Sequence, residues 1–301
     1  MKGQTLSDKK RSIDFEYLSK IRSAFALRTA RKSSNILEGD FRSIYRGRSM
    51  EFDELSEYHE GDDVSDIDWN ATSRTGQVLV RRYVAERKHF LLFVGDTGIK
   101  MSGHTSGGAR KSDLAILTFA SAAYLCDRNG ADYSLMTAQK GQGSFDLFRA
   151  GTDHLEKLTW MYEERIEKEN GADVSRLLDE ATENIRKRMI LFLITDFMGL
   201  KVLDDNLLQK VTDKNDLLVV NLDDAYLTDE NAFDLRQRRY ADAFLTKSSA
   251  LRQEERRQRE EILAAAKKRF RQNRVSFVTI RKEEEVIDSI IDLFRQGGQW
   301  T

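Results

Sequence analysis

The chain has 301 residues, 40% hydrophobic and 33% charged, enough to bury one large core or one core with a small appended module. Its 49 Lys and Arg against 50 Asp and Glu leave a net charge of −1, which provides no whole-molecule field for nucleic acid or an anionic membrane. A single cysteine excludes an intramolecular disulfide, the four histidines (His59, His89, His104, His154) lack metal-ligand spacing, and no run approaches the ~20 apolar residues of a membrane span.

Residues 1–35 carry nine Lys or Arg against three acids, without an apolar core long enough for a signal peptide, so a cytoplasmic location is expected. Within them Ile13, Tyr17, Ile21 and Phe25 stand four apart with cations between, the pattern of an amphipathic helix that packs on the rest of the chain. Residues 36–88 differ: Gly, Asp and aromatics in irregular spacing, closing on QVLVRRYV, which alternates like a strand. They are read as a small mixed α/β module. Its acidic stretch YHEGDDVSDIDWN holds Glu60, Asp62, Asp63, Asp66 and Asp68, yet lacks the ligand order of a calcium loop. Capping of loops and pairing with Arg74, Arg81 and Arg82 is the expected use of these carboxylates, with Val64, Ile67 and Trp69 buried beneath.

From residue 89 to 301, short apolar runs alternate with helical patterns. The runs are HFLLFV, DYSLMTA, MILFLIT, DLLVVNL and VSFVTI, and helices are expected near 109–128, 153–167, 174–187, 201–213, 248–272 and 283–295. Continuously apolar strands separated by helices predict a doubly wound, mostly parallel sheet covered on both faces, a Rossmann-like α/β class that binds ligands at the carboxyl ends of its strands. GDTGIKMSG, from Gly95, and TDFMG, from Thr195, both fall there. GHTSGGARKS imitates a phosphate loop, but Ala109 and Arg110 separate the last Gly from Lys111, so a flexible Gly-rich lead into a helix is expected instead. Cys126 lies in an apolar helical pattern as a packed small hydrophobe. Residues 223–250 are too long for an ordinary connection and too polar for core, and read as an insertion. In the helix after it, Glu255 with Arg259 and Arg257 with Glu261 are spaced as ion pairs of a solvated face. No proline occurs anywhere, against about 15 expected from roughly 5% usage, and nothing in the sequence explains it.

One segment carries a resemblance. RGRSMEF at Arg46 to Phe52, Tyr58 followed by Gly61–Asp63, Ile67–Trp69 and Arg74 to Gly76 are similar, in order and spacing, to the signature of the bacterial family called "domain of unknown function 58". The match continues through Asp96, Lys111, Thr195–Phe197 and the last strand and helix, over about residues 36–296. The resemblance implies a von Willebrand factor A-like domain and association with AAA+ ATPases of the MoxR type. Domains of that kind often hold Mg2+ in a metal-ion-dependent adhesion site, with Asp-x-Ser-x-Ser on the first loop, Thr on the second and Asp on the third. Carried onto this chain, Asp96 and Asp196 remain, whereas Gly98 and Lys100 replace the serines and Ala172 replaces the threonine. An ammonium repels a divalent ion. The site is therefore expected to be metal-free and without a cofactor, with the Lys100 ammonium within salt-bridge reach of Asp96 or Asp196.

No catalytic carrier is visible. The sequence points to a non-enzymatic interaction protein that acts with a MoxR-type AAA+ ATPase on an unidentified client protein, with Tyr58, Asp62, Asp63, Asp68, Trp69 and Arg74 as candidate partner-binding residues. Neither nucleic-acid binding nor membrane insertion is expected. Two other classes remain open: a metal-dependent hydrolase or nuclease using Asp96 or Asp62, and a nucleic-acid-associated factor using the basic first 35 residues, whose affinity would fall steeply with salt.

Overall fold

The structure, a computed structural model, describes residues 19, 21–23, 51–59, 61–84, 90–168, 171, 173–228, 233–234, 239–240 and 248–297. Of the expected first helix only a turn around Ile21 is among them; Ile21 is buried in the same cluster as Leu91 and Phe119, and Arg22 Nη2 donates to Thr152 Oγ1 at 3.3 Å. Ile13, Tyr17, Phe25, Glu60, His89, Ala172 and most of RGRSMEF lie outside the described residues.

The small module pairs β1 (Glu51–Glu57) antiparallel with β2 (Leu79–Val84), joined through a 3-10 turn and α1 (Trp69–Thr75). Its carboxylates cap loops, as expected. Asp62 accepts from the His59 amide at 2.9 Å, and Asp63 from the amide and hydroxyl of Ser65 at 2.9 and 2.8 Å. Asp68 caps α1 through the amides of Asn70 and Ala71, both at 3.0 Å, and pairs with Arg81 Nε at 3.0 Å. These donors, the Ser65 amide for Asp63 and the Ala71 amide for Asp68 foremost, hold both carboxyls below the usual carboxylate range. Burial of the apolar residues here was expected wrongly: Val64 is 59% and Trp69 65% exposed, and Ile67 is half-buried. Asp68 as N-cap starts a helix whose first residue, Trp69, points outward.

The larger part is built on β3 (Phe90–Gly95), α2 (Lys111–Arg128), β4 (Asp132–Gln139), β5 (Gln142–Phe145), α3 (Thr152–Glu167), α4 (Val174–Asn184), β6 (Ile190–Asp196), α5 (Phe197–Lys201), α6 (Asp205–Thr212), β7 (Asp216–Leu222), a two-residue ladder of β8 (Phe233–Asp234) and β9 (Arg239–Tyr240), α7 (Ser249–Gln272), β10 (Ser276–Ile280) and α8 (Val286–Gly297). Six strands form one sheet in the order β10-β7-β6-β3-β4-β5, all parallel except β5, which runs antiparallel to β4. Counting those strands along the chain gives the order 3-2-1-4-5-6 of the doubly wound class, with the switch point between β3 and β6.

Alternation along the strands divides the core in two. Leu91, Phe93, Phe192 and Val220 face α2, α3 and α8, while Leu92, Val94, Leu193 and Val219 face α4, α6 and α7. Both faces are covered, which is why these strands read as unbroken apolar runs. The edge strand β5 was not legible, since QGSF carries neither an apolar run nor an alternating pattern. Its outer amide at Gly143 donates to Glu180 Oε2 at 2.6 Å, so a side chain occupies a position where another strand would otherwise add.

Candidate functional site

The carboxyl ends of β3 and β6 carry Asp96 and Asp196, both fully buried. Each is fixed by its own loop. Asp96 Oδ1 accepts from the Gly98 amide at 3.0 Å, and Asp196 Oδ1 accepts from the Gly199 amide at 3.0 Å as the N-cap of α5. Thr195 Oγ1 donates to Asp96 Oδ2 at 2.8 Å, and Tyr162 OH to the Asp96 carbonyl at 3.2 Å. Space is tight: a Cβ on Gly199 would sit 1.9 Å from Thr195 Oγ1, and one on Gly95 2.6 Å from the Tyr162 ring.

Between the carboxylates stands Lys100. It sits on the 3-10 turn Ile99–Ser102, and its Nζ lies 2.7 Å from Asp96 Oδ2 and 3.2 Å from Asp196 Oδ1. The sequence expectation asked for one of these contacts, and the geometry has both. A second ammonium completes the arrangement. Lys111, the first residue of α2 and 3% exposed, donates to Asp196 Oδ2 at 2.9 Å and also to Asp224 Oδ1. A lysine here opposes the helix dipole, and α2 has no side-chain N-cap, so the paired carboxylates are what make the position tenable.

The titration behaviour follows from this sharing. Burial raises Asp96 above the carboxylate range, and the adjacent Asp196 charge adds to it, against the pull of Lys100. Burial acts on Asp196 too, but the ammoniums of Lys111 and Lys100 outweigh it and hold the carboxyl low. Both lysines, though desolvated, are held above the usual ammonium value by their carboxylates.

A second layer joins the edge to α7. Arg259, 8% exposed, donates to the carbonyls of Asp224 and Ala225, lies 4.0 Å from Asp223, and stacks over the rings of Tyr226 and Phe197 at 4.3 and 5.4 Å. Asp223 also receives Ser106 Oγ at 2.6 Å and Arg281 Nε at 3.1 Å. The expected solvated pair of Glu255 and Arg259 is thus corrected: both turn inward onto the loop after β7, and Arg257 with Glu261 alone keeps the solvated role. The expected flexible lead at Gly103 to Ser112 is corrected as well, because Gly107 approaches Arg281 so closely that a Cβ would meet its carbonyl oxygen at 2.5 Å.

Metal chemistry would draw on Asp96, Asp196 and Thr195. Magnesium requires oxygens at about 2.1 Å in an octahedral shell. Gly98 supplies no side-chain oxygen, and the Lys100 ammonium holds hydrogen-bond positions on both carboxylates, so the donor set does not fit an ion while Lys100 is in place. Gly171 lies against Gly98, a Cβ on it reaching the Gly98 Cα at 3.0 Å, which brings the second loop to the first at the position next to Ala172. Of the other candidates, Tyr58, Trp69 and Arg74 are exposed, whereas the carboxylates of Asp62, Asp63 and Asp68 are engaged within their own loop. Cys126 is fully buried, and burial pushes its thiol well up, which suits a packed side chain and not a nucleophile. Among the described residues no helix is long and apolar enough to cross a membrane.

Sequence reasoning missed Asp224 and gave Lys111 and Thr195 no function. A lysine at the first position of a helix whose N-terminus wants anions was the available signal for Lys111.

Comparison with known proteins agrees on family. Residues 54–271 match the family described as "Protein of unknown function DUF58". Uncharacterized proteins of Mycobacterium tuberculosis and Mycobacterium bovis are each 27% identical over 183 residues, 58% of this chain and 57% of theirs, so the match spans just over half the length of those relatives. Among solved structures, the conserved hypothetical protein BatB from Bacteroides thetaiotaomicron aligns with a TM-score of 0.42 at 11% identity over 70% of this chain and 99% of its own. A von Willebrand factor type A protein from Catenulispora acidiphila gives 0.35 at 10% identity over 73% and 45%. The fold assignment follows from the strand order of the sheet itself.

Proposed function

The chain belongs to the family described as protein of unknown function DUF58, and on that premise we propose that it is a non-enzymatic protein-interaction module whose recognition edge is closed by Lys100 in place of a metal ion. The observation that carries this reading is the single ammonium bonded to Asp96 and Asp196 at the switch point of the sheet. Ligands of doubly wound sheets bind at that crevice. A tethered cation there balances the charge that a divalent ion would otherwise supply, and holds the loops after β3 and β6 in one arrangement without an exchangeable component. Partner recognition by this edge is then independent of divalent cations.

The partner in this reading is a MoxR-type AAA+ ATPase, which would supply energy while this chain supplies recognition of a client protein in the assembly or remodelling of complexes. Support for it is the resemblance of the signature segment; the exposed Tyr58, Trp69 and Arg74 offer side chains for such contacts. The test is affinity capture of the tagged chain from native lysate, in parallel with Mg2+ and with EDTA. Recovery of an AAA+ ATPase equally in both is the expected result. Recovery only with Mg2+ contradicts the closed site, and recovery of no ATPase in either contradicts the partner.

A further inference from the structure

The cations in the opening turns of α7 are served unequally. Arg257 is bonded to Glu254 and Glu261, both at 2.6 Å, and Arg259 turns inward onto the carbonyls of Asp224 and Ala225. Arg252 and Arg256 have no carboxylate in bonding distance among the described residues. They stand four apart on one side of the helix, a spacing at which like charges repel and weaken a helix slightly. Between Ser249 and Gln258 the helix is exposed except at Glu255, so both guanidiniums face outward.

A groove of about 480 Å3 runs beside them, lined by Ser249, Arg252, Gln253, Arg256, Arg257 and Glu260. These positions recur at intervals of three and four, so a single stripe of α7 forms this wall. The Arg256 guanidinium lies 5.5 Å from the centre of the Tyr226 ring, which also carries Arg259 at 4.3 Å. Stacking of this kind orients a guanidinium and leaves its edge N–H groups free to donate. Tyr226 is held in turn by its neighbours, since the Ala225 amide donates to the His104 carbonyl at 2.9 Å and the Leu227 amide to Glu255 Oε1 at 2.6 Å. Glu260 places a carboxylate at one end of the stripe, which directs an incoming anion towards the Ser249 end, where Ser249 and Gln253 add uncharged donors.

We propose that this stripe of α7 is a docking surface for an acidic segment of a partner protein, in which two carboxylates about one helical turn apart bind Arg252 and Arg256. Charge complementarity selects the partner, and the chain's own acids select its class. Glu254, Glu260 and Glu261 stand exposed on the same turns and would face a continuous run of phosphates, which a short acidic peptide avoids. Leu227, 64% exposed on the segment that carries Tyr226, offers apolar contact that a phosphate backbone cannot use. The surface shares no residue with the crevice of Asp96, Asp196 and Lys100, so its test is independent of the one given for that crevice.

The probe is a short fluorescein-labelled helical peptide containing Leu and two Glu four apart, beside a second peptide in which Gln replaces each Glu. Each is titrated with the whole chain and followed by fluorescence anisotropy at low and at raised salt. The acidic peptide should bind saturably and more weakly as salt rises, and the Gln peptide should not bind. Arg252→Glu with Arg256→Glu should weaken binding about tenfold. Lys267→Glu with Lys268→Glu makes the same change of charge at exposed positions on the far half of the helix and should leave binding unchanged. Circular dichroism checks that both double variants keep the parent fold, as substitutions of exposed side chains should. Absence of saturable binding by the acidic peptide overturns the proposal. So does an equal loss in the two double variants, which would show attraction by net charge alone, or binding undiminished in Arg252→Glu with Arg256→Glu. Displacement of the peptide by a lower concentration of single-stranded oligonucleotide overturns it in favour of nucleic acid.

Discussion

Lys100 was legible because charge arithmetic is local. Two aspartates at adjacent strand ends need a cation, and a lysine four residues after the first can reach them. Lys111 and Asp224 were not legible, because they meet Asp196 and each other across 85 and 113 residues of chain that only the folded sheet brings together. Removing one member of a buried pair strands the other's charge. Lys100→Ala should therefore cost about 2 to 4 kcal/mol in chemical denaturation, the upper end reduced by the 21% exposure of the lysine side chain. The same variant frees Asp96, Asp196 and Thr195, so millimolar Mg2+ should raise its melting temperature while leaving the unmodified chain unchanged. A variant as indifferent to Mg2+ as its parent would show that the two carboxylates do not form a cation site. Gly199→Ala tests the packing of the same corner. Its methyl would overlap Thr195 Oγ1 and displace the hydroxyl from Asp96, for an expected loss of about 1 to 3 kcal/mol. Unchanged stability would mean that the Thr195 contact is dispensable.

Elements defined by apolar runs were read correctly from sequence, since a strand buried on both faces leaves no other pattern. The elements missed lack that signal: β5 is four residues of mixed polarity, and α5 is a single short turn started by the Asp196 cap. Helix α7 was found, but its role was misread. Charges four apart describe one helix surface and cannot say which side meets the body, so Glu255 and Arg259 passed for solvated residues when they bind the segment after β7. Arg259→Ala would leave two backbone carbonyls and Asp223 underserved, at an expected cost of about 2 kcal/mol. Limited proteolysis should then cut within the first turns of α7 ahead of the rest of the helix. Cleavage no faster than in the parent would mean that Glu255 and Tyr226 hold the helix without it.

For the molecule as a whole, the sheet order places Asp96 and Asp196 at the ends of strands and Lys111 at the start of a helix, with Lys100 on the turn after β3, the arrangement by which doubly wound folds gather distant residues at one edge. That edge was visible in the sequence as two loops after apolar runs, GDTGIKMSG and TDFMG. The Lys100 contact was expected from it, whereas the second ammonium, Lys111, emerged only from the folded chain. The proposed partner surface belongs to this scale too, and the exposure of Trp69 and Tyr58 makes the small module a place to test it: if the proposed ATPase binds there, Trp69→Ala should lower its recovery with little change in stability, as an exposed apolar side chain contributes little to folding. Recovery unchanged by that substitution would move the contact elsewhere. The most direct measurement of the central claim is calorimetric titration of the unmodified chain with MgCl2 and MnCl2 at neutral pH, beside Lys100→Ala. The account predicts no saturable heat for the unmodified chain up to millimolar ion, and saturable binding once Lys100 is gone. Saturable binding by the unmodified chain that disappears in Asp96→Asn would show that the crevice holds an ion and that Lys100 does not replace it.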